Sequence, residues 1–393
     1  MDKPREMVLS ALPEAALLIS APGRVNLIGE HVDYNMGVVL PVAINKRVWV
    51  ALKPLEKPIL RIKALDLDDE VEFDFSDLVA RLDIHKNFLP QWSLYPAAVA
   101  WVLQSKGYPL SGFQAVIASD LPMRSGLSSS AAIEVAFALA FQTLQEYTME
   151  RMQLAQLCQL AENRFVGVQC GLMDQFAVSH GVARHALFFD TRSLEWQPIP
   201  LPAETVLVIA DSGKKRELAA SAYNQRQQEC QLALQFLRQK NPHIRSLRDV
   251  ERDEFARIEQ DLPQVAAQRA RHVIEEIERV QQCALSLVED DVDAFGKFMF
   301  AGHASLRDLY EVSCEELDFL VETAAVQTGC LGARLTGAGF GGCTLNLVRK
   351  QDAQHFCEAM RAAFQDRFSV ELKTMICQAD RGAFVERMKK AVV

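Results

Sequence analysis

Positive charge is what this 393-residue chain is short of: 42 Lys and Arg stand against 51 Asp and Glu, a formal net charge of −9. A surface that neutralises nucleic-acid phosphates needs clustered Lys and Arg. Nucleic acid is therefore excluded as a partner, and any phosphate ligand must be held by local geometry. No apolar run approaches the roughly 18 residues of a membrane span, so no membrane partner is expected. The opening "MDKPREMVLSALPEAALLISAPG" is broken by Pro13 and Glu14 and reads as a helix and a first strand rather than a signal peptide. Paired cysteines are missing too. The nine lie singly at Cys158, Cys170, Cys230, Cys283, Cys314, Cys330, Cys343, Cys357 and Cys377, a pattern that fits a reducing, cytoplasmic setting better than a disulfide framework. HExxH, CxxC and GxxxxGK[ST] do not occur, which removes the usual zinc sites and the Walker-type nucleotide site. There is no internal repeat and no low-complexity stretch.

What is present is an ordinary globular composition, 49% hydrophobic and 24% charged. The chain is long for a single core and is divided into two domains, 1–202 and 203–393. In the first, "GVVLPVAI", "RVWVALKP" and "FQAVIASDLP" read as strands. "SSSAAIEVAFALAFQTLQEY" reads as a helix capped by serine hydroxyls, "MERMQLAQLCQLAENRF" as a second helix, and "HALFFDTRSLEWQPIPLP" as a strand pair. The second domain opens on the strand "ETVLVIADSG". The polar helix "KKRELAASAYNQRQQECQLALQFLRQK" follows, its Gln and Arg read as a solvated face. Further helices lead to a glycine-dense turn within "GARLTGAGFGGCTLNLV" and a strand in "VELKTMICQ". The lack of strict strand–helix alternation makes the fold class α+β.

Two short stretches carry chemistry. "GRVNLIGEHVDYN", residues 23–35, packs Arg24, Glu30, His31 and Asp33 into ten positions. A solvated turn, a protein-only metal site and a sugar site all remain open for it. The last is attractive because an ionised carboxylate accepts two vicinal hydroxyls through charge-assisted bonds. "SGLSSSAA", residues 125–132, places small residues at the start of a long helix. Backbone N–H groups and the helix dipole there can receive phosphate without net positive charge, although a merely well-capped helix would look the same.

Taken in order, "GRVNLIGEHVDYN", "LPMRSGLSSSAAIEVA" and "LTGAGFGGCTLNLV" resemble the motifs of the GHMP small-molecule kinases, and most closely those of their galactokinase branch. "CGLMDQFAVSHG", "ALFFDTRSLE", "ARHVIEEIERV" and "HASLRDLYEVSCEELD" are also similar to galactokinase segments, so the resemblance runs from about residue 20 to 348. It implies a two-domain GHMP-kinase fold with the active site in the cleft between N- and C-terminal α+β domains. The implied reaction is ATP-dependent phosphorylation of galactose at its anomeric hydroxyl, with ATP and Mg²⁺ as cofactors. By the same resemblance, Asp174 is the catalytic aspartate and Arg24 its partner. Asp33 would bind the hydroxyls at carbons 3 and 4, Glu30 and His31 the exocyclic one, and Tyr223 would lie near the axial 4-hydroxyl. Gly171 would let the backbone approach the sugar. Ser125, Gly126, Leu127, Ser128, Ser129, Ser130 and Ala131 would form the nucleotide loop, with Mg²⁺ at Ser130 and Glu162. "TGAGFGG" would support the loops around sugar and phosphates.

Two positions depart from the family pattern: Arg124 stands where a glycine is usual, and Met36 replaces the first glycine of an Asn-Gly-Gly turn. Whether Asp174 takes the proton outright or orients the hydroxyl stays open. Kinases for N-acetylgalactosamine or arabinose, or a catalytically inactive sugar sensor, are the alternatives; the intact "GLSSSAAIEVA" argues against the sensor. A monomer acting on small molecules is the expected assembly.

Overall fold

The computed structural model describes residues 3–122, 126–214 and 219–388. Among these residues run strands β1 (Leu17–Asn26), β2 (Val38–Val39), β3 (Pro41–Pro54), β4 (Ile59–Ala64), β5 (Asp69–Asp74), β6 (Phe113–Ser119), β7 (His185–Asp190), β8 (Trp196–Pro200), β9 (Thr205–Asp211), β10 (Cys330–Thr336), β11 (Cys343–Arg349), β12 (Lys373–Cys377) and β13 (Phe384–Arg387). They form three sheets, ordered β13-β1-β3-β6-β4-β5, β10-β11-β9-β12 and β2-β7-β8. Pairing is antiparallel except for β4 on β6. Helices cover the sheets, giving an α+β architecture.

The second sheet starts at β9, close to residue 203, yet the chain does not stay on that side. β13 returns to pair with β1 in the first sheet. Arg47 accounts for much of this return. Buried on β3, it donates to Ser20 Oγ, Asp380 Oδ2 and the carbonyls of Arg381 and Gly382. A desolvated guanidinium needs every one of its N–H groups satisfied, and the C-terminal segment supplies the oxygens. A boundary read from composition cannot show such a return, because a long-range pairing leaves no local trace.

"GVVLPVAI" and "RVWVALKP" are not two separate strands. Pro41–Pro54 runs unbroken, and only Val38–Val39 splits off to the third sheet. The helix Ser129–Leu144 is buried around most of its circumference, from Ala131 through Phe141. Phe113, Phe137 and Phe141 meet there with ring centroids 5.2–5.8 Å apart. Burying such rings stabilises the fold by about 1.5–3 kcal/mol each, and it anchors the N-terminus of this helix in a rigid position.

At the end of the loop after β1, Met36 closes a short 3₁₀ turn, Asp33–Asn35, with φ 60° and its N–H on Asp33 O. The left-handed conformation costs a side-chain-bearing residue about 1–2 kcal/mol, whereas glycine loses about 0.5–1 kcal/mol through its freer unfolded chain. Met36→Gly is therefore expected to stabilise the fold by a few tenths to about 1 kcal/mol, read as a higher denaturant midpoint. A lower midpoint would show that the half-exposed side chain contributes more than the strain removes.

Candidate active site

The site begins at a defect in β1. Its register against β3 shifts between Pro22 and Arg24. At Gly23 a Cβ would stand 2.8 Å from the Leu127 carbonyl. Without that Cβ, the serine loop lies directly on the strand, and Arg24 N–H donates to Leu127 O at 3.0 Å. The Arg24 side chain is 5% exposed. It donates from Nη1 to Gly126 O at 2.6 Å and from Nε to Asp174 Oδ1 at 2.8 Å, with Nη2 2.7 Å from the same oxygen. Asp174 stands in the first turn of the helix Met173–His180, where a carboxylate gains from the helix dipole.

Ser128 departs from its expected role. It precedes the helix Ser129–Leu144 in a left-handed conformation, φ 57°, and its side chain caps nothing. Its hydroxyl instead donates to Asp174 Oδ2 at 2.5 Å. Gly126, Leu127, Ser128, Ser129, Ser130 and Ala131 thus form a tight turn into a helix, laid against the Arg24–Asp174 pair. The readings on Ser125 and Arg124 fall outside the described residues.

The sugar-loop residues gather on the other side of Asp174. Asp33 accepts the N–H groups of Tyr34 (2.9 Å) and Met173, which places its carboxylate at the start of the helix that carries Asp174. Burial, and then the neighbouring Asp174 charge, push Asp33 up to about 6. Gly171 lies against Asp33: a Cβ there would sit 1.9 Å from Asp33 Oδ2. The glycine therefore makes room first for a carboxylate.

His31 has φ 64°, and its carbonyl is held by Asn35 Nδ2 at 2.9 Å. Its Nε2 lies 3.2 Å from Ala338 O and its Nδ1 2.9 Å from Tyr34 O–H. A carbonyl can only accept, so Nε2 carries the proton and Nδ1 accepts from Tyr34. Tyr310 then donates to Tyr34 (2.8 Å), and the Cys230 thiol donates to Tyr310 (3.1 Å). This relay needs a neutral imidazole, and burial together with the nearby His272 holds His31 down at about 3. A sugar hydroxyl reaches a His31 nitrogen only in exchange for Tyr34 or Ala338. Tyr223 packs on His31 and Tyr34 at centroid distances of 5.2 and 5.4 Å.

Glu30 is 1% exposed. Its Oε1 accepts from Thr336 Oγ1 (3.3 Å) and Gly337 N–H (3.4 Å), and its Oε2 pairs with Arg334. Burial raises Glu30 to about 7 against the pull of Arg334. The glycine-dense turn between β10 and β11 thus touches both Glu30 and His31, through Gly337 and Ala338.

A second polar group lies behind the serine loop. Glu162 accepts hydrogen bonds from Ser130 and from Gln175 Nε2 (2.7 Å), and Gln175 also donates to Glu134 at 3.0 Å. Burial, then the Asp174 charge, push Glu162 up to about 7, and burial raises Glu134 as well. Glu134 Oε1 has no hydrogen-bond partner among the described residues. No group of three His, Cys, Asp or Glu among the described residues forms a ready metal cage. Mg²⁺ does not require one, because it takes oxygen ligands and usually keeps several waters and substrate phosphates. The adjacent hydroxyl of Ser130 and carboxylate of Glu162 are a donor set of that kind.

Arg24, Glu30, His31, Asp33, Gly171, Asp174 and Tyr223 are thus brought together, with Gly126–Ala131 and Glu162 alongside. Sequence reasoning missed Tyr34, Tyr310, Glu134, Gln175, Glu276 and Arg334. A Glu inside the apolar run of Ser129–Leu144, and an Arg between apolar residues in "GARLTG", were the available signals. The Gln and Arg face of the helix Ala219–Lys240 is largely solvated, as read, with Gln225, Gln228, Gln231, Gln235 and Arg238 exposed, and Arg226 is the exception that sequence reasoning did not single out. Arg226 is 8% exposed and donates to the carbonyls of Tyr310 and Glu311.

Comparison with known proteins agrees with this geometry. Residues 10–54 match a galactokinase galactose-binding signature, 94–182 the N-terminal domain of GHMP kinases and 274–366 their C-terminal domain. The chain is 46% identical to a galactokinase of Roseiflexus sp. (strain RS-1), over 93% of this chain and 92% of that one. It is 39% identical to a Thermotoga maritima galactokinase, over 90% and 95%. The crystal structure of Lactococcus lactis galactokinase complexed with galactose superposes with a TM-score of 0.90 at 32% identity, covering 97% and 98% of the two chains. The Methanococcus jannaschii mevalonate kinase shares the fold at a TM-score of 0.63 and 17% identity, over 93% and 98%.

Proposed function

This chain belongs to the galactokinase family of GHMP kinases, and from that membership and the site we propose that it transfers the γ-phosphoryl group of ATP to the anomeric hydroxyl of α-D-galactose. The products are galactose 1-phosphate and ADP. The observation that carries this reading is Asp174, held on one oxygen by Arg24 and on the other by Ser128 of the serine loop. That carboxylate stands where a sugar beside Asp33 and a phosphate at the start of Ser129–Leu144 would meet.

Phosphoryl transfer depends on positioning and on neutralising charge. Asp33, with Tyr223 beside it, orients the sugar ring through its hydroxyls, and Glu30 takes the exocyclic hydroxyl. Asp174 accepts the hydrogen bond of the anomeric hydroxyl and receives or steers its proton. Arg24 holds Asp174 with one edge of its guanidinium and faces the transferred group with its charge. Backbone N–H groups from Gly126 to Ala131 receive the phosphates. Ser130 and Glu162 are the residues that would hold Mg²⁺, which when bound supplies charge neutralisation for the phosphate oxygens. Domains 1–202 and 203–393 contribute the sugar and nucleotide loops on one side and the supporting turn at Gly337–Gly342 on the other.

The test is ADP release by purified protein over a panel of sugars. Galactose is expected to be used far better than glucose, because an equatorial 4-hydroxyl leaves buried polar groups unpaired at about 1–3 kcal/mol each. Comparable kcat/KM values for the two sugars would overturn the assignment.

A pH dependence follows from the same carboxylates. Asp33 at about 6 and Glu30 at about 7 are both raised by burial. Ionised carboxylates accept sugar hydroxyls more strongly than neutral ones. Binding that uses the ionised form is full above these values and lost as pH falls through them. Galactose affinity measured by calorimetry should therefore weaken between pH 8 and pH 5.5, and Asp33→Asn should remove the lower part of that dependence. A flat profile would mean that neither carboxylate binds the sugar as an anion.

A further inference from the structure

Arg334 is as deeply buried as any charge among the described residues, 0% exposed on β10, and the reaction as described does not use it. It reaches across to the sugar loop. Its Nη2 pairs with Glu30 Oε2 and lies 3.0 Å from Glu276 Oε1. Its Nη1 is directed at Leu27 O at 3.4 Å. Glu276, on the helix Gln264–Val288, also accepts Gly29 N–H at 3.0 Å and pairs with Arg279 at 2.7 Å. Charges thus alternate along Glu30, Arg334, Glu276 and Arg279, and two backbone groups of the sugar loop are tied into the same chain.

Physical cost makes this arrangement informative. A buried ion pair is a weak source of stability, since well-packed apolar side chains do as well or better. What it provides is a fixed geometry for a carboxylate that would otherwise lose its charge in so dry a place. Among the described residues Glu30 has two other donors, the long contacts from Thr336 and Gly337. We propose that Arg334 is a specificity-determining positioning residue: it aims the Glu30 carboxylate, and so sets the preference for a sugar that carries the exocyclic hydroxyl. This rests on the reading that Glu30 takes that hydroxyl.

The test compares binding of D-galactose and 6-deoxy-D-galactose by calorimetry, with kcat and KM for both, in the full-length parent, Glu30→Gln, Arg334→Met and the double variant. The parent should prefer galactose at least about tenfold, as expected for one buried charge-assisted hydrogen bond. Glu30→Gln should lose most of that preference. Arg334→Met should lose it to the same extent with the KM for ATP unchanged, and adding it to Glu30→Gln should change the preference no further. A merely structural arginine would instead lower stability, or kcat for both sugars alike, and leave the ratio untouched. That outcome in folded Arg334→Met, with Glu30→Gln altered as expected, would overturn the proposal alone. An unchanged ratio in Glu30→Gln would overturn the Glu30 reading and the proposal with it. Should Arg334→Met fail to fold, Arg334→Lys keeps a charge but loses the planar guanidinium whose Nη1 and Nε reach the carbonyls of Leu27 and Leu335 and so fix where Nη2 meets the two carboxylates. It is expected to lose at least about threefold of the preference, and an undiminished ratio there is equally fatal.

Discussion

Single-turnover phosphorylation of galactose by Asp174→Asn is expected to be slower than in the parent by at least the roughly 10²-fold typical of removing a general base. The substitution keeps the shape of the side chain. Its amide oxygen can still face Arg24 Nε, now 2.8 Å from Oδ1, and its NH₂ can face Ser128 Oγ, which then becomes an acceptor. The Asp174 side chain is 26% exposed, and the buried Arg24 keeps the amide oxygen and the Gly126 carbonyl as acceptors. The fold should survive, and ATP binding should be nearly intact. What is lost is the anion that receives or steers the anomeric proton and that fixes the Arg24 guanidinium. A rate within a few-fold of the parent, in folded protein, would remove Asp174 from the chemistry.

Gly171→Ala should nearly abolish galactose binding while leaving the nucleotide loop alone. The added methyl would fall 1.9 Å from Asp33 Oδ2 and 2.2 Å from its Cγ, far inside contact distance. Asp33 is a short side chain already tied to Tyr34 N–H and Met173 N–H, so its carboxylate cannot step aside without giving up those donors. Loss of even one charge-assisted hydrogen bond to the sugar, at about 1.5–3 kcal/mol, weakens binding by about tenfold to a hundredfold. Calorimetry with galactose and with ATP separates the two effects. Galactose affinity within threefold of the parent would show that Asp33 is not the group that holds the ring hydroxyls.

Much of this was legible in the linear chain. The β-rich runs and the apolar helix after the serines follow from periodicity, because side-chain period reports which face is buried. Motif order brought Arg24 and Asp174 into one hypothesis although they lie 150 positions apart, and it named the residues of the sugar loop. The sequence alone therefore determined the fold class, the family and the types of group at the site.

Partnership was decided only in three dimensions. Ser128 could be read as a cap, and it became a donor to Asp174 because Gly23 lets the serine loop settle on β1. Gly171 could be read as an opening for a ligand, and it is the space that Asp33 fills. Arg226 gave no sign of being buried, since a charged residue in a polar helix is ordinarily solvated, and Arg334, set between apolar residues, hinted at burial but not at its partners. β13 crosses back to the first sheet, where Asp380 and the carbonyls of Arg381 and Gly382 help to satisfy the buried Arg47. In each case the local sequence sets what a group can donate or accept. The partner is chosen by packing, which must satisfy every buried polar group from whatever part of the chain lies within reach.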